Sequence, residues 1–217
     1  MSWAQANTYL PTGIQLGIDL IGPLYGKYQK TGPQYAFNGL LDFNRLLVQG
    51  DYGWGFIERQ GFCKKQGIGS SSKNQGQYFR IGLDLNLLKN SIDHNAAFLG
   101  LRYAKSYFQD QLHSALLAPY WGTYHINSKQ ANMQARWLEL VAGVRVKAWQ
   151  WIYLGCTAHY KFKKKLAHNN AHIPFDVLGW GLNQEDALEL NCYLIVRIPL
   201  QRSAAPDYSK QPESQNL

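Results

Sequence analysis

A chain of 217 residues is long enough for one sizeable domain and does not demand two, and its 46% hydrophobic content is that of an ordered protein. No stretch approaches the ~18–20 uninterrupted apolar residues of a spanning helix, so a helical span is excluded, whereas a spanning β-barrel is not, because its alternating strands keep average hydropathy low. The net charge of +8 gathers in Lys64, Lys65 and Lys73 and in Lys161, Lys163, Lys164 and Lys165, with no nucleic-acid-binding motif beside either cluster.

Nucleic acid is therefore not an expected partner. The lysine clusters read either as solvated loop tips or as patches that meet phosphates on lipopolysaccharide or another polyanion. At the start, Met1–Asn7 reads MSWAQAN, and Ala4-Gln5-Ala6 has the small-x-small form of a signal-peptidase site without the basic and apolar regions that should precede it. The expectation is a truncated or late-assigned start, an export signal missing from this sequence, and residues 1–11 as a periplasmic N-terminal segment.

From residue 12 onward, eight segments show the period-two alternation of half-buried strands. In Thr12–Gly22, Ile14, Leu16, Ile18 and Leu20 alternate with Gln15, Gly17 and Asp19. In Gln34–Asn44, Tyr35, Phe37, Gly39, Leu41 and Phe43 stand opposite Asn38 and Asp42. In Leu46–Ile57, Leu46, Val48, Tyr52, Trp54 and Phe56 oppose Gln49, Asp51, Gly53 and Gly55. In Tyr78–Leu88, Phe79, Ile81, Leu83, Leu85 and Leu87 oppose Arg80, Gly82, Asp84 and Asn86.

The second half repeats the pattern. Ala97, Leu99, Leu101 and Tyr103 oppose Gly100, Arg102 and Ala104. Leu138, Leu140, Ala142, Val144 and Val146 oppose Glu139, Gly143 and Arg145. Ile152, Leu154, Cys156, Ala158 and Tyr160 oppose Gly155, Thr157, His159 and Lys161. Last, Leu188, Leu190, Cys192, Leu194, Val196 and Ile198 oppose Glu189, Asn191, Tyr193 and Arg197. Each run approximates the ~9–11 residues of a tilted strand that crosses a bilayer.

The connections alternate in length. A tight turn near Asn44-Arg45, Lys89–Asn95 and Lys147–Gln150 are short; Glu58–Gln77, Phe108–Asn132 and Phe162–Asp186 are long, and Pro23–Pro33 is intermediate. Short turns at one end and long loops at the other are the asymmetry of outer-membrane barrels, and they put both termini in the periplasm. The polar, Pro- and Ser-containing stretch 201–217 is expected to be a disordered periplasmic tail.

Alternation does not say which face points inward: a soluble carrier of an apolar ligand would put the apolar face inside, a membrane barrel outside. Three features favour the membrane. Aromatic residues gather at strand ends, with Tyr35, Phe37, Trp54, Phe56, Phe79, Tyr103, Tyr160 and Phe162 towards the long loops and Phe43, Trp149 and Trp151 towards the short turns, as in interfacial girdles. The polar face balances Asp19, Asp42, Asp51, Asp84, Glu139 and Glu189 against Arg80, Arg102, Arg145, Lys161 and Arg197, as enclosed charges require. Glycines recur on that face (Gly17, Gly53, Gly55, Gly82, Gly100, Gly143, Gly155), leaving room for long side chains in a narrow barrel whose lumen is filled and polar.

Five runs carry a resemblance. They are Tyr78-Phe79-Arg80-Ile81-Gly82-Leu83-Asp84, Phe98-Leu99-Gly100-Leu101-Arg102-Tyr103, Pro119-Tyr120-Trp121-Gly122, Ala135-Arg136-Trp137-Leu138-Glu139-Leu140-Val141-Ala142-Gly143 and Tyr193-Leu194-Ile195-Val196-Arg197-Ile198-Pro199-Leu200. Over roughly Leu10 to Leu200 the chain resembles an uncharacterised family of Bacteroidota outer-membrane β-barrel proteins, a domain of unknown function. The resemblance implies location and fold and brings no activity and no catalytic residues. Such families usually end on an aromatic residue read by the barrel-insertion machinery; here that position is Leu200.

Candidate sites are few. Some eight-stranded outer-membrane barrels modify lipids, and nucleophilic catalysis needs Ser, His and a carboxylate within hydrogen-bond reach. Asp110, His113 and Ser114 are the best such group, although neighbours on a strand point to opposite faces, and ordinary loop polarity is the competing reading. His168 and His172 lack a third ligand. The three cysteines, Cys63, Cys156 and Cys192, show no metal spacing, and no metal or cofactor is expected. Cys156 and Cys192 both lie on the apolar face, either as small lipid-facing side chains or as a cross-strand disulfide. His159 reads as a hydrogen-bonded lumen histidine. Apolar loop clusters at Pro119, Tyr120 and Trp121 and at Pro174, Phe175 and Trp180 read either as a contact surface or as packing over the barrel mouth, where the two loops would form a cap.

The expected fold is all-β: an eight-stranded antiparallel up-and-down transmembrane β-barrel over residues 12–200, with short periplasmic turns and long extracellular loops. The expected role is non-enzymatic, in the outer membrane of a Gram-negative bacterium. A plugged, salt-bridged lumen would anchor loops for surface interaction, or the chain would be an accessory subunit of an outer-membrane assembly. Expected partners are outer-membrane lipid, lipopolysaccharide and other outer-membrane proteins. The alternatives are a lipid-modifying acyl hydrolase or transferase and the soluble carrier.

Overall fold

The computed structural model describes residues 11–43, 45–63, 68–88, 93–118, 120, 122–167 and 173–200. The expectations for residues 1–10 and 201–217, and those for Pro119, Trp121, His168 and His172, lie outside the described residues. The elements are β1 (Gly13–Asp19), α1 (Ile21–Tyr28), β2 (Gln34–Phe43), β3 (Leu46–Cys63), β4 (Ile68–Asn86), β5 (Ala96–Ala118), β6 (Gly122–Lys147), β7 (Ile152–Ala167), β8 (Asp176–Val177), β9 (Gly181–Leu182) and β10 (Ala187–Pro199). The eight long strands form one antiparallel sheet in which each pairs with its neighbour in the chain, and β10 returns to β1 (Ile14↔Ile198, Ile18↔Leu194) to close a ring. The chain is all-β apart from one short helix.

The faces are resolved. Gln15, Asn38, Asp51, Arg80, Asp84, Arg102, Glu139, His159 and Lys161 are buried inside the ring, while Leu101 (62% exposed), Leu190 (61%), Leu83, Leu140, Leu154 and Val196 stand on its outer surface. The alternation read from the sequence thus runs polar-in and apolar-out. Glycines on the inner face make room for what crosses the lumen: a Cβ on Gly53 would sit 2.4 Å from the Tyr78 ring, and one on Gly143 would sit 2.5 Å from the Phe98 ring.

Three boundaries differ from the sequence reading, each for a physical reason. The expected loops 58–77 and 108–132 are largely strand, because β3, β4, β5 and β6 continue past the apolar belt as paired hairpins. Their side chains there (Ser70, Ser71, Ser72, Asn74, Gln75; Asn127, Ser128, Lys129) are polar on both faces, so no alternation marked them. A ladder between two solvated strands needs only its backbone bonds. Second, the first strand, read as Thr12–Gly22, stops at Asp19, and the chain turns into α1 where the connection Pro23–Pro33 was expected. Pro23 is tolerated because it falls in the first helical turn, where backbone N–H groups have no intrahelical partner. Asp19 takes up two of those groups, accepting from Ile21 N (3.2 Å) and Gly22 N (2.9 Å). Gly26 lets the helix lie on the following chain, since a Cβ there would be 2.0 Å from the Gly32 oxygen. Third, the segment after β7 is folded inward, as described below.

Cys192 pairs with Cys156 across β10 and β7, with Sγ atoms 2.9 Å apart and both thiols free. The Cys192 carbonyl bonds Leu20 N on the β1 side (2.8 Å), so the cysteine pair is the non-hydrogen-bonded kind, whose Cα separation of about 4.5 Å suits a disulfide. Mild oxidation of the purified chain should join Cys156 to Cys192 within one molecule, read by mass spectrometry as the loss of two hydrogens. A register one residue away would put the thiols on opposite faces and give no such product.

Candidate functional site: an ionic lumen sealed by an inward-folded segment

The centre of the ring is a set of ion pairs contributed by six strands, all buried except at Glu189, whose side chain is 25% exposed. Arg102 on β5 reaches Asp51 on β3 (2.7 Å) and Asp84 on β4 (3.0 Å), and Asn38 Nδ2 donates to the second oxygen of Asp51. Arg80 on β4 crosses to Glu139 on β6 (3.2 Å) and Glu189 on β10 (2.7 Å). Glu139 also accepts from Trp137 Nε1 (2.7 Å) and lies 2.8 Å from His159 Nδ1, while Lys161 on β7 pairs with Glu189. Bidentate arginines suit this role, because each planar fork satisfies two carboxylates at once.

Towards the short turns the lumen becomes mixed. Leu40, Leu47, Ala96, Phe98 and Val141 form an apolar cluster, and Tyr153, Tyr193 and Ile195 a second. Arg145 bonds the Gln15 side chain and lies over the Phe98 ring at 5.8 Å, and Arg197 is 3.7 Å from Asp42. In the adjoining turn, burial first and then the charge of Arg197 hold His94 below the ordinary histidine range.

Towards the long loops the lumen is closed by residues 173–186. The two-residue strands β8 and β9 pair (Val177↔Gly181) around a turn in which Gly179 (φ +80°) and Gly181 (φ +103°) adopt left-handed backbone. Val177 and Trp180 bury against Ala104, Phe108, Met133, Ala135 and Trp137, with Trp180 meeting Trp137 edge-on at 5.7 Å; Leu178 packs with Ala36, Ile57 and Tyr78. Each such side chain contributes about 1.5–3 kcal/mol by leaving water. A turn buried this deeply must satisfy its carbonyls, and the lumen cations supply the donors. Lys161 Nζ donates to the oxygens of Gly179 (2.7 Å) and Trp180 (3.2 Å), and Arg80 donates to Gly179 O (3.2 Å). Asn74 donates to Asp176 O (2.9 Å), and Arg59 pairs with the Asp176 carboxylate (2.7 Å).

Several candidate residues therefore stand where the alternation placed them, and some take other roles. Asp51, Asp84, Glu139, Glu189, Arg80, Arg102 and Lys161 form the network; Asp42, Arg145 and Arg197 lie nearer the short turns. Asp19 is buried but bonds the start of α1 and Asn191 (3.2 Å), not a lumen cation. Trp180 and Pro174 are buried, so among the described residues offered as a contact surface Tyr120 (94% exposed) and Phe175 lie on the outside. Asp110, His113 and Ser114 are not brought together: Asp110 faces inward and accepts from Asn74 Nδ2 (3.2 Å), while exposed His113 pairs with Asn127 (2.8 Å) on the opposite face of β5 from Ser114. Sequence reasoning missed the apolar lumen residues, although the doublets Leu40-Leu41 and Leu46-Leu47, which break the alternation, marked two of them. It also missed that the lumen cations hold the segment 173–186, for which neither spacing nor composition carries a signal.

These features define an all-β protein whose closed antiparallel ring has an ionic interior and its own loop as a stopper. The sequence model of a domain of unknown function, DUF6048, matches residues 2–202, and the chain belongs to that family. No curated protein matches the chain.

Replacing Arg80 by methionine leaves Glu139 buried without its guanidinium and Glu189 with Lys161 alone, and should lower unfolding stability by about 3–5 kcal/mol in a denaturant titration. The Arg80→Met/Glu189→Gln pair should lose less than the sum of the two single changes. Gly179→Val forces a branched residue into left-handed backbone and against the Tyr78 ring, where the Cβ contact would be 2.6 Å. Strain of about 1–3 kcal/mol raises the opened fraction of the stopper on the order of 5- to 150-fold. A thiol at buried Ser106, with the native cysteines replaced by serine, should then react with a soluble maleimide faster by that factor.

Proposed function

We propose that this protein spans an outer membrane as an eight-stranded β-barrel with a permanently stoppered lumen, and that it acts without catalysis as a platform for its projecting hairpins, either in surface interactions or as an accessory subunit of an outer-membrane assembly. The observation that carries this reading is the direction of the two faces: paired charges inside and a continuous apolar surface outside. Water-exposed leucines at this density would have no partner on a soluble ring, whereas acyl chains are their natural solvent. The carrier of an apolar ligand would need those faces exchanged.

Dimensions support the same conclusion. The outward residues of β10 from Leu188 to Ile198 extend over ten residue steps. At about 3.3 Å each and a tilt of about 40° these reach ~25 Å, the height of the apolar band on such barrels. Aromatic residues edge the band. Trp54 stacks on Phe37 (5.3 Å) and lies 5.9 Å from Tyr35, and Tyr160 stacks on Phe162 (6.0 Å), at the long-loop side; exposed Trp149 and Trp151 mark the other.

Beyond the band, the hairpin of β5 and β6 rises past the β4 pairing that ends at Ser70↔Ser114, exposing both faces of 122–132 and the tyrosines Tyr120 and Tyr124. Among the described residues, β7 pairs with β6 only from Gln134 onward and no strand lies along the edge of 122–133, which suits pairing with another strand. Such an arm suits recognition better than chemistry.

Leu101→Arg, near the middle of the band, should destabilise the protein in lipid vesicles by about 2–4 kcal/mol, as measured by denaturant titration. A loss within experimental error, with the wild type recovered in the aqueous fraction, would refute the membrane reading. A photoreactive group at Tyr120 should cross-link a protein neighbour in intact cells; adducts with lipid and solvent alone would count against the platform role.

A further inference from the structure

Among the described residues, the wall of the ring is incomplete between β10 and β2. β1 ends at Asp19, opposite Tyr193, yet β10 begins six residues earlier at Ala187, and β2 begins three residues before Phe37, the partner of Ile18. Among the described residues, no strand covers β10 from Ala187 to Asn191 or β2 from Gln34 to Ala36 on their facing sides. Backbone groups alternate in direction along a strand, and the carbonyl of Cys192 points to the β1 side. The N–H and C=O groups of Leu190 and Leu188 therefore point into the same gap. The helix α1 stands at its outer end, and behind it a cleft of about 620 Å³ runs from the outer surface to the lumen floor at Lys161, Glu189 and Tyr78.

Three properties of the cleft specify what fits. Its outer lip is apolar and continuous with the belt: Leu188 (72% exposed), Leu190, Tyr25 and Tyr35. Leu188 pairs with Tyr160 and Tyr35 with Trp54, so the gap lies at the level of the aromatic girdle. Its ions are already matched, Lys161 with Glu189, Arg59 with Asp176, and Asp19 with the start of α1. Finally, its buried lining includes an acceptor, Asn191 Oδ1, and a donor, Trp180 Nε1, with no protein partner among the described residues. A free phosphate or ammonium would meet no uncommitted counter-charge, whereas hydroxyl or amide groups would meet both a donor and an acceptor.

We propose that this lateral notch binds a membrane amphiphile with an uncharged, hydroxyl- or amide-bearing head, the head inserted between α1 and β10 and the acyl chain lying along Leu188 and Leu190. The proposal rests on the membrane reading above. The bound head would cover the open edge of β10, which hydrocarbon by itself cannot satisfy.

The test uses the full chain in phosphatidylcholine vesicles with a diazirine-bearing monoacylglycerol, and in parallel the phosphatidic acid of the same chain length, with adducts mapped by peptide mass spectrometry. The monoacylglycerol should label the peptides around Leu188–Asn191 and Ile21–Gln34 about fivefold above the β4–β5 wall, the factor that one net hydrogen bond supplies. Gln184→Trp, a change on the exposed rim that fills the notch, should abolish the excess while leaving belt labelling unchanged. Uniform labelling around the belt would overturn the notch and leave the membrane reading standing. Equal enrichment with the phosphate head would overturn the uncharged-head assignment. A chain that never enters the vesicles would sink the membrane reading itself.

Discussion

A charge removed from water is tolerated only beside its opposite, and with its remaining hydrogen-bonding positions filled. The interior of this ring is organised by that demand. Eight strands enclose a space that side chains can fill, and the two crossing arginines, Arg80 and Arg102, each join carboxylates from different strands. Neither can be removed without stranding its partners. The network therefore specifies which strands sit opposite one another across the lumen, which pairing between neighbours does not.

The same ions have a second task. Arg80 and Lys161 leave donors for the carbonyls of Gly179 and Trp180, so the stopper is secured by the groups that hold the walls together. Wall and stopper are accordingly coupled, and a change that loosens one releases part of the other. Where β1 is short, the wall gives way to a helix, and the ionic floor comes within reach of the outer surface through a cleft. Among the described residues the ring thus keeps a lateral approach beside the stopper, at the height where head groups meet hydrocarbon in the proposed orientation.

Much of this was readable from residue order because a strand has a two-residue period: Leu83 and Asp84, or Leu101 and Arg102, must point to opposite sides in any ladder. The extended hairpins were not, since Ser70–Gln75 and Asn127–Gln130 are polar on both faces and carry no periodic mark. Nor was α1, whose glycines and proline are turn signals in isolation, yet Asp19 supplies its N-terminal acceptor and Gly26 its close approach. The Asp110/His113/Ser114 grouping was proximity along the chain, which a strand converts into separation across two faces.

By itself, the order of residues determined that eight ribbons with one ionic and one apolar face exist and which residues lie on each, because these are local consequences of backbone geometry. Tertiary structure decided which face turns inward, which carboxylate meets which cation, that Trp180 is a stopper and not a surface, and where the wall stays open. Those outcomes depend on closure of the ring: only when β10 meets β1 do side chains far apart in the chain share one enclosed, water-poor space in which their charges and volumes must be reconciled.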